Sequence, residues 1–200
     1  MPVYDYFPEG FEEKYEISEY RHALAILSGE FEEEFQNVCD VLGAFELRRS
    51  SIVAAGGGKS RISGYLDAQL TDRGWQEKAF DTSIVIDGVT YNTPTHKIDC
   101  VKNRIALDIE WNNKTEFYDR DLNNFRLLHN LGAISVGIII TRSTELQQIF
   151  NELNVGSKYG PSTTHLNKLL PKIKGGGAGG CPLLVVAVKT GAYVDDVSAP

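Results

Sequence analysis

The stretch that decides the fold is Ile98–Trp111, which reads I-D-C-V-K-N-R-I-A-L-D-I-E-W. With Asn103 and Arg104 as a two-residue turn, it folds into two antiparallel strands. Asp99 then pairs with Asp108, Lys97 with Glu110 and Val101 with Ala106 on one face. Cys100 pairs with Leu107, Ile98 with Ile109 and His96 with Trp111 on the other. The second face is mostly apolar, and the first carries three carboxylates and a lysine. Cross-strand partners sit about 4.5–5.5 Å apart at Cβ, and like charges placed opposite each other destabilise a sheet. Asp99 against Asp108 therefore asks for a cation between them. Mg²⁺ suits the place, because it takes oxygen ligands and is commonly held by one or two carboxylates plus phosphate.

That geometry suggests phosphodiester hydrolysis. A divalent metal can activate water, neutralise the transition state and stabilise the leaving oxygen. Asp99 and Asp108 are expected to hold it, with the Ile109 carbonyl. Glu110 is expected at the edge, as a further ligand or as the group that orients or deprotonates water. Lys97 either meets phosphate or forms an ion pair with Glu110. An Asp followed eight residues later by Asp-x-Glu is also what an ordinary polar strand face looks like, so the surroundings must carry the argument.

Upstream, Glu16–Leu27 and Glu30–Leu42 have helical spacing, with Phe31, Phe35, Val38 and Leu42 on one face. Phe45–Ala54 reads as a strand and Ala55–Lys59 as a glycine-rich loop. Gly58-Lys59-Ser60 invites a phosphate-loop reading, but Val53 stands where the first glycine of that pattern belongs, which excludes it. Arg61–Arg73 reads as a helix stopped at Gly74, with Trp75 in the core. Thr82–Ile86 and Val89–Tyr91 flank Asp87-Gly88, a strong hairpin signal.

Downstream, Asn113 or Thr115 can cap a helix whose stripe is Tyr118, Leu122, Phe125, Leu128 and Leu131, stopped by Gly132. Ala133–Thr141 and Leu183–Val188 are nearly continuous apolar runs, as strands covered on both faces require. Between them, Thr144–Leu153 and a segment capped by Ser162 or Thr163 and running to Ile173 are helical. Lys174–Gly180 reads as a flexible loop. The order of elements indicates an α/β fold, a mixed central β-sheet flanked by α-helices. It is expected to be a single domain over residues 1–200. Within it, 1–46 is an acidic helical part, 82–141 the catalytic core and 142–200 a recognition and dimer region with the last strand.

The net charge is −7, but it is unevenly spread. Residues 1–46 hold twelve acidic and two basic side chains, while the remaining 154 hold eighteen basic and fifteen acidic. A DNA-facing surface can therefore form from Arg48, Arg49, Lys59 and Arg61 at one end and Lys158, Lys168, Lys172 and Lys174 at the other. Local field decides such binding, not the sum; scattered solvated charges are the equal alternative. The acidic opening stretch lacks the basic and apolar regions of a secretory leader. Three cysteines far apart suit reduced thiols, so a cytoplasmic location is expected, with no membrane partner. The four histidines have no ligand spacing, so no zinc site is expected.

Taken together, DCVKNRIALDIEWNNK, YEISEYRHALAIL and ISGYLDAQLTDRGWQEK resemble the BglII/BstYI-type restriction endonucleases, within the PD-(D/E)xK nuclease superfamily, over roughly Tyr15 to Val188. The resemblance implies a restriction-endonuclease-like core and a type II enzyme. It implies Mg²⁺-dependent cleavage of both strands of a short palindrome in double-stranded DNA, GATC-centred in this family, by a homodimer. A cognate DNA methyltransferase would belong to the same system. The family pattern is Asp, eight residues, Glu-x-Gln. Asp99 matches the Asp, Asp108 stands for the Glu and Glu110 for the Gln. A Glu77 beside the metal and base-reading amides at Asn112 and Asn113 are implied by the same likeness; an exposed helix-end Glu77 and helix-capping asparagines are the competing readings. Ser157, Lys158, Ser162, Thr163 and Thr164 form a second candidate DNA loop, where capping again competes. Arg48, Arg49, Lys59 and Arg61 are phosphate-contact candidates. The alternatives are a non-restriction nuclease of this fold, or an inactive DNA-binding protein that has lost activity through Asp108 and Glu110.

Overall fold

The chain is built on a six-stranded mixed sheet with helices on both faces, in a computed structural model that describes residues 2–55 and 58–197. Gly56 and Gly57, in the expected glycine-rich loop, lie outside the described residues. The strands are β1 (Tyr15–Tyr20), β2 (Leu47–Arg48), β3 (Gln76–Lys78), β4 (Ser83–Ile86), β5 (Val89–Asn92), β6 (Ile98–Lys102), β7 (Ile105–Ile109), β8 (Val136–Arg142), β9 (Leu183–Val188) and β10 (Tyr193–Val194). The helices are α1 (Phe11–Lys14), α2 (Ala23–Glu30), α3 (Glu32–Ala44), α4 (Arg49–Val53), α5 (Arg61–Thr71), α6 (Phe117–Asn130), α7 (Leu146–Glu152) and α8 (Leu166–Lys174).

The main sheet runs β1-β9-β8-β7-β6-β3. Its three central strands, β7, β8 and β9, are parallel, and antiparallel partners lie on either side. Every residue of β7, β8 and β9 is buried, which is why β8 and β9 read as unbroken apolar runs. One face packs on α2, α3 and α5 through Leu24, Leu42, Leu66 and Leu107. The other packs on α6 and α8 through Tyr118, Phe125, Leu169 and Val185. The three cysteines are buried and free, and no described helix is long and apolar enough to cross a membrane.

The turn at Asn103-Arg104 forms as expected, both residues having positive φ, and fixes the pairs Cys100–Leu107, Val101–Ala106 and Lys102–Ile105. The β4–β5 hairpin also forms around Asp87-Gly88. It stands outside the main sheet as a two-stranded ribbon whose eight strand residues are all exposed.

Several expectations are corrected. Glu16–Leu27 is not one helix: Tyr15–Tyr20 is a strand along β9, and Arg21 and His22, both at positive φ, turn the chain into α2. Phe45–Ala54 yields two strand residues, paired with β10, followed by α4. Helix α6 starts at Phe117 without a side-chain cap, so neither Asn113 nor Thr115 caps it, and Leu131 lies past its end, exposed. Helix α8 likewise has no side-chain cap from Ser162 or Thr163. Gly175–Gly180 packs as tight turns against α6. A Cβ on Gly177 would lie 3.0 Å from Leu122, and one on Gly179 2.8 Å from Arg126.

Candidate active site

The β6–β7 ladder stops at Cys100–Leu107, although both strands continue past it. Beyond that point the two aspartates replace it. The Asp99 N–H donates to Asp108 Oδ1 at 3.0 Å, and the Ile109 N–H donates to Asp99 Oδ2 at 2.9 Å. Each carboxylate satisfies a backbone donor of the opposite strand that would otherwise lie unpaired. The expected alternation breaks here: Ile98 packs toward α6, while Ile109 and Trp111 pack on the opposite face. The pairs Ile98–Ile109 and His96–Trp111 are therefore not formed.

This splay opens into a cleft of about 340 Å³ lined by Asp99, Ile109, Trp111, Asn112 and Asn113 from the β6–β7 hairpin and its continuation, and by Glu77. Its far wall is Ser51, Ala54, Gly58, Lys59, Ser60 and Arg61, with Lys158 and Tyr159. The Asp99 carboxyl is raised from its ordinary value by burial, against the Ile109 N–H and the Lys59 charge, which lower it.

Asp108 and Glu110 point toward α6 and are 1% and 2% exposed. There they meet Asp121, also 1% exposed, and Arg120. Burial, then the charges of Asp121 and Asp99, hold the Asp108 carboxyl well above the usual range. Glu110 is raised to about 9 by burial beside Asp121. The Asn113 amide donates to Glu110 Oε2 at 3.0 Å, and Arg120 reaches Oε1 at 3.5 Å while pairing with Asp121 at 2.8 Å. Asp108 Oδ2 and Asp121 Oδ2 are buried without a hydrogen-bond partner.

The three acids of the hairpin thus do not form a closed cage. Among the described residues no set of three or more His, Cys, Asp or Glu side chains is arranged around an ion. The donor chemistry nevertheless fits Mg²⁺, which needs only one or two carboxylates when phosphate completes its shell. Asp99 and Asp108 adjoin at the splay, and Asp108 Oδ2 is an orphaned acceptor of the kind a cation satisfies.

The remaining expected residues divide. Lys97 pairs with Glu77 at 2.7 Å on the rim, not with Glu110. Glu77 sits on β3, not at a helix end, and lines the cleft. Lys59 pairs with Asp67 at 2.7 Å. Lys158 reaches the cleft, but its ammonium donates to the Ile52 and Ala54 carbonyls. Arg48 and Arg49 are engaged by Glu46 and Asp195. Ser162 is exposed, whereas Thr163 and Thr164 work inside the loop. The Thr163 hydroxyl accepts from the buried Arg142, and Thr164 Oγ1 accepts the Asn113 N–H at 3.1 Å. Thr164 is fully buried, which removes it as a DNA contact and makes it a support for Asn113.

Asp121, Arg120, Asp67 and Arg142 were not anticipated. Asp121 had a signal: it falls among Tyr118, Leu122 and Phe125, a carboxylate on the buried stripe of α6. Asp67 had none, since a polar residue beside a buried Leu66 is ordinary.

A six-stranded mixed sheet of this order, flanked by helices on both faces, is a restriction-endonuclease-like fold. The chain matches the restriction endonuclease BglII/BglIII family over residues 15–188 and belongs to that family. It is accordingly a type II restriction endonuclease, a phosphodiester hydrolase whose substrate is DNA. Among curated proteins none matches the chain.

Proposed function

We propose that this enzyme hydrolyses both strands of a short palindromic duplex site with Mg²⁺, acting as a homodimer of single-domain chains beside a DNA methyltransferase that protects the host. The observation that carries the proposal is the exchange at the splay, where Asp99 and Asp108 each take the other strand's N–H and Asp108 Oδ2 is left without a partner. Asp99 and Asp108 would hold the metal, with the Ile109 carbonyl. Bound there, the metal would lower the pKa of a water and neutralise charge on the phosphate. Asp99 presents its carboxylate to the cleft, where the scissile phosphate enters. Glu110, whose pKa burial beside Asp121 raises in the metal-free protein, is oriented by the Asn113 amide. Asn112 lines the cleft, and with Asn113 and Ser162 it stands where base edges would be read; Lys59 and Arg61 face the backbone.

Incubating the protein with plasmid and Mg²⁺, beside an Asp99→Ala control, tests this. Discrete fragments that the control does not produce are expected, and mapping their ends gives the site. A smear would indicate a less specific nuclease, and intact plasmid with retained binding an inactive DNA-binding protein.

A further inference from the structure

The basic side chains around the cleft are not equivalent. Lys158 is held by two backbone carbonyls, and burial lowers its pKa. Lys97 pairs with Glu77 on the rim, and Arg120 is committed to Asp121 and Glu110 on the α6 side. Lys59 differs in where it is anchored. Its partner Asp67 projects from α5 and accepts, on its other oxygen, the thiol of Cys100 at 3.7 Å. Cys100 is the residue after Asp99. The ammonium is thus tied, through one carboxylate, to the strand that carries the cleavage centre. Lys59 is half-exposed on the wall of the cleft that Asp99 also lines. It also lies just before the N-terminus of α5, where the Ser60 hydroxyl caps the Ser63 N–H and the helix dipole adds positive potential.

We propose that Lys59 is a catalytic residue that contacts a non-bridging oxygen of the scissile phosphate at Asp99, and that Asp67 is the positioning residue that holds it there. The inference rests on the reading that Asp99 marks the cleavage centre. In the step it serves, the oxygen of water bonds to phosphorus as the P–O3′ bond breaks. One water proton leaves to solvent and O3′ takes one up. Lys59 keeps its own proton throughout and offsets the charge that builds on the phosphoryl oxygen, a role worth about 10²–10³ in rate for a single well-placed donor.

The test is single-turnover cleavage of plasmid with Mg²⁺, together with gel-shift affinity for the same DNA without Mg²⁺. At saturating protein, with all the DNA bound, Lys59→Met is expected to cut at least 100-fold more slowly, beside the salt-dependent loss of affinity that any phosphate contact carries. Lys59→Arg, which keeps the charge, is expected to stay within about tenfold. Asp67→Asn is expected to lose about tenfold in kcat with KM unchanged, and Asp67→Glu to recover most of that loss. Cleavage by Lys59→Met within threefold of wild type overturns the proposal. So does a cleavage loss that disappears once all the DNA is bound, which would make Lys59 a backbone contact alone. A wild-type protein that leaves every plasmid intact overturns the underlying reading as well, so the two failures are distinguishable.

Discussion

Glu110 carries a proton in the metal-free protein because burial beside Asp121 lifts its pKa to about 9. An unfolded glutamate titrates near 4.5. Between those values the folded chain holds a proton that the unfolded chain has released, so stability is full below about pH 4.5 and falls as pH rises toward 9. Asp108 and Asp121, both raised by burial, push in the same direction. Glu110→Gln keeps the shape and an acceptor for Asn113 but cannot ionise. In calorimetry without metal it should melt several degrees above wild type at pH 8–9 and converge with it near pH 5. At this scale the sequence was half legible. Asp99 and Asp108 could be placed opposite each other because a tight turn fixes register. The reach of Glu110 toward α6 could not, since it depends on Asp121 arriving from a helix whose rotation is set by packing.

Among the elements, α6 docks on β8 where Gly137 leaves room. A Cβ there would lie 2.5 Å from the Phe125 ring and 2.8 Å from a Leu183 methyl, both held in the packed core. Gly137→Ala is expected to cost about 1–3 kcal/mol by overpacking. Because α6 carries Asp121 and Arg120, urea unfolding should register the loss of stability, and cleavage should weaken alongside. Elements with one strong local signal were readable: the turn at Asn103-Arg104, the hairpin at Asp87-Gly88, α5 before the turn at Gly74 (though it ends at Thr71, two residues short of Arg73), and the unbroken β8 and β9 runs. Elements decided at a distance were not. YEISEY has apolar spacing that suits a helix, yet β9 offers it a ladder of six residues, and tertiary pairing overrides so weak a local preference. Arg49–Val53 reads as β-prone, but its helix end is tied down by Lys158 and Tyr159, which reach the Ile52 carbonyl from more than a hundred residues away.

For the molecule as a whole, an acidic chain that cuts DNA must gather its positive field locally. On the function proposed above, Lys59 and Arg61 on the cleft wall are the cations that would meet backbone. Two neutralised phosphates per chain give a slope of about −1.8 for log affinity against log salt, and a homodimer doubles it to about −3.6. Salt titration of DNA binding without Mg²⁺ should find the steeper value, and Lys59→Met should reduce it by about half. The layered architecture was evident from the order of elements, because buried parallel strands must be covered on both faces. The closure of the sheet was not, since nothing local in residues 15–20 announces a neighbour at 183–188. That closure bears on how the enzyme is born. Strand β1 has no place in the main sheet until β9 follows it about 165 residues later, so a chain stopped before Leu183 is an unfinished scaffold. Chains that end before β9 lack the strand on which β1 docks and are expected to leave plasmid DNA uncut, so cutting should begin only once that late segment has been made.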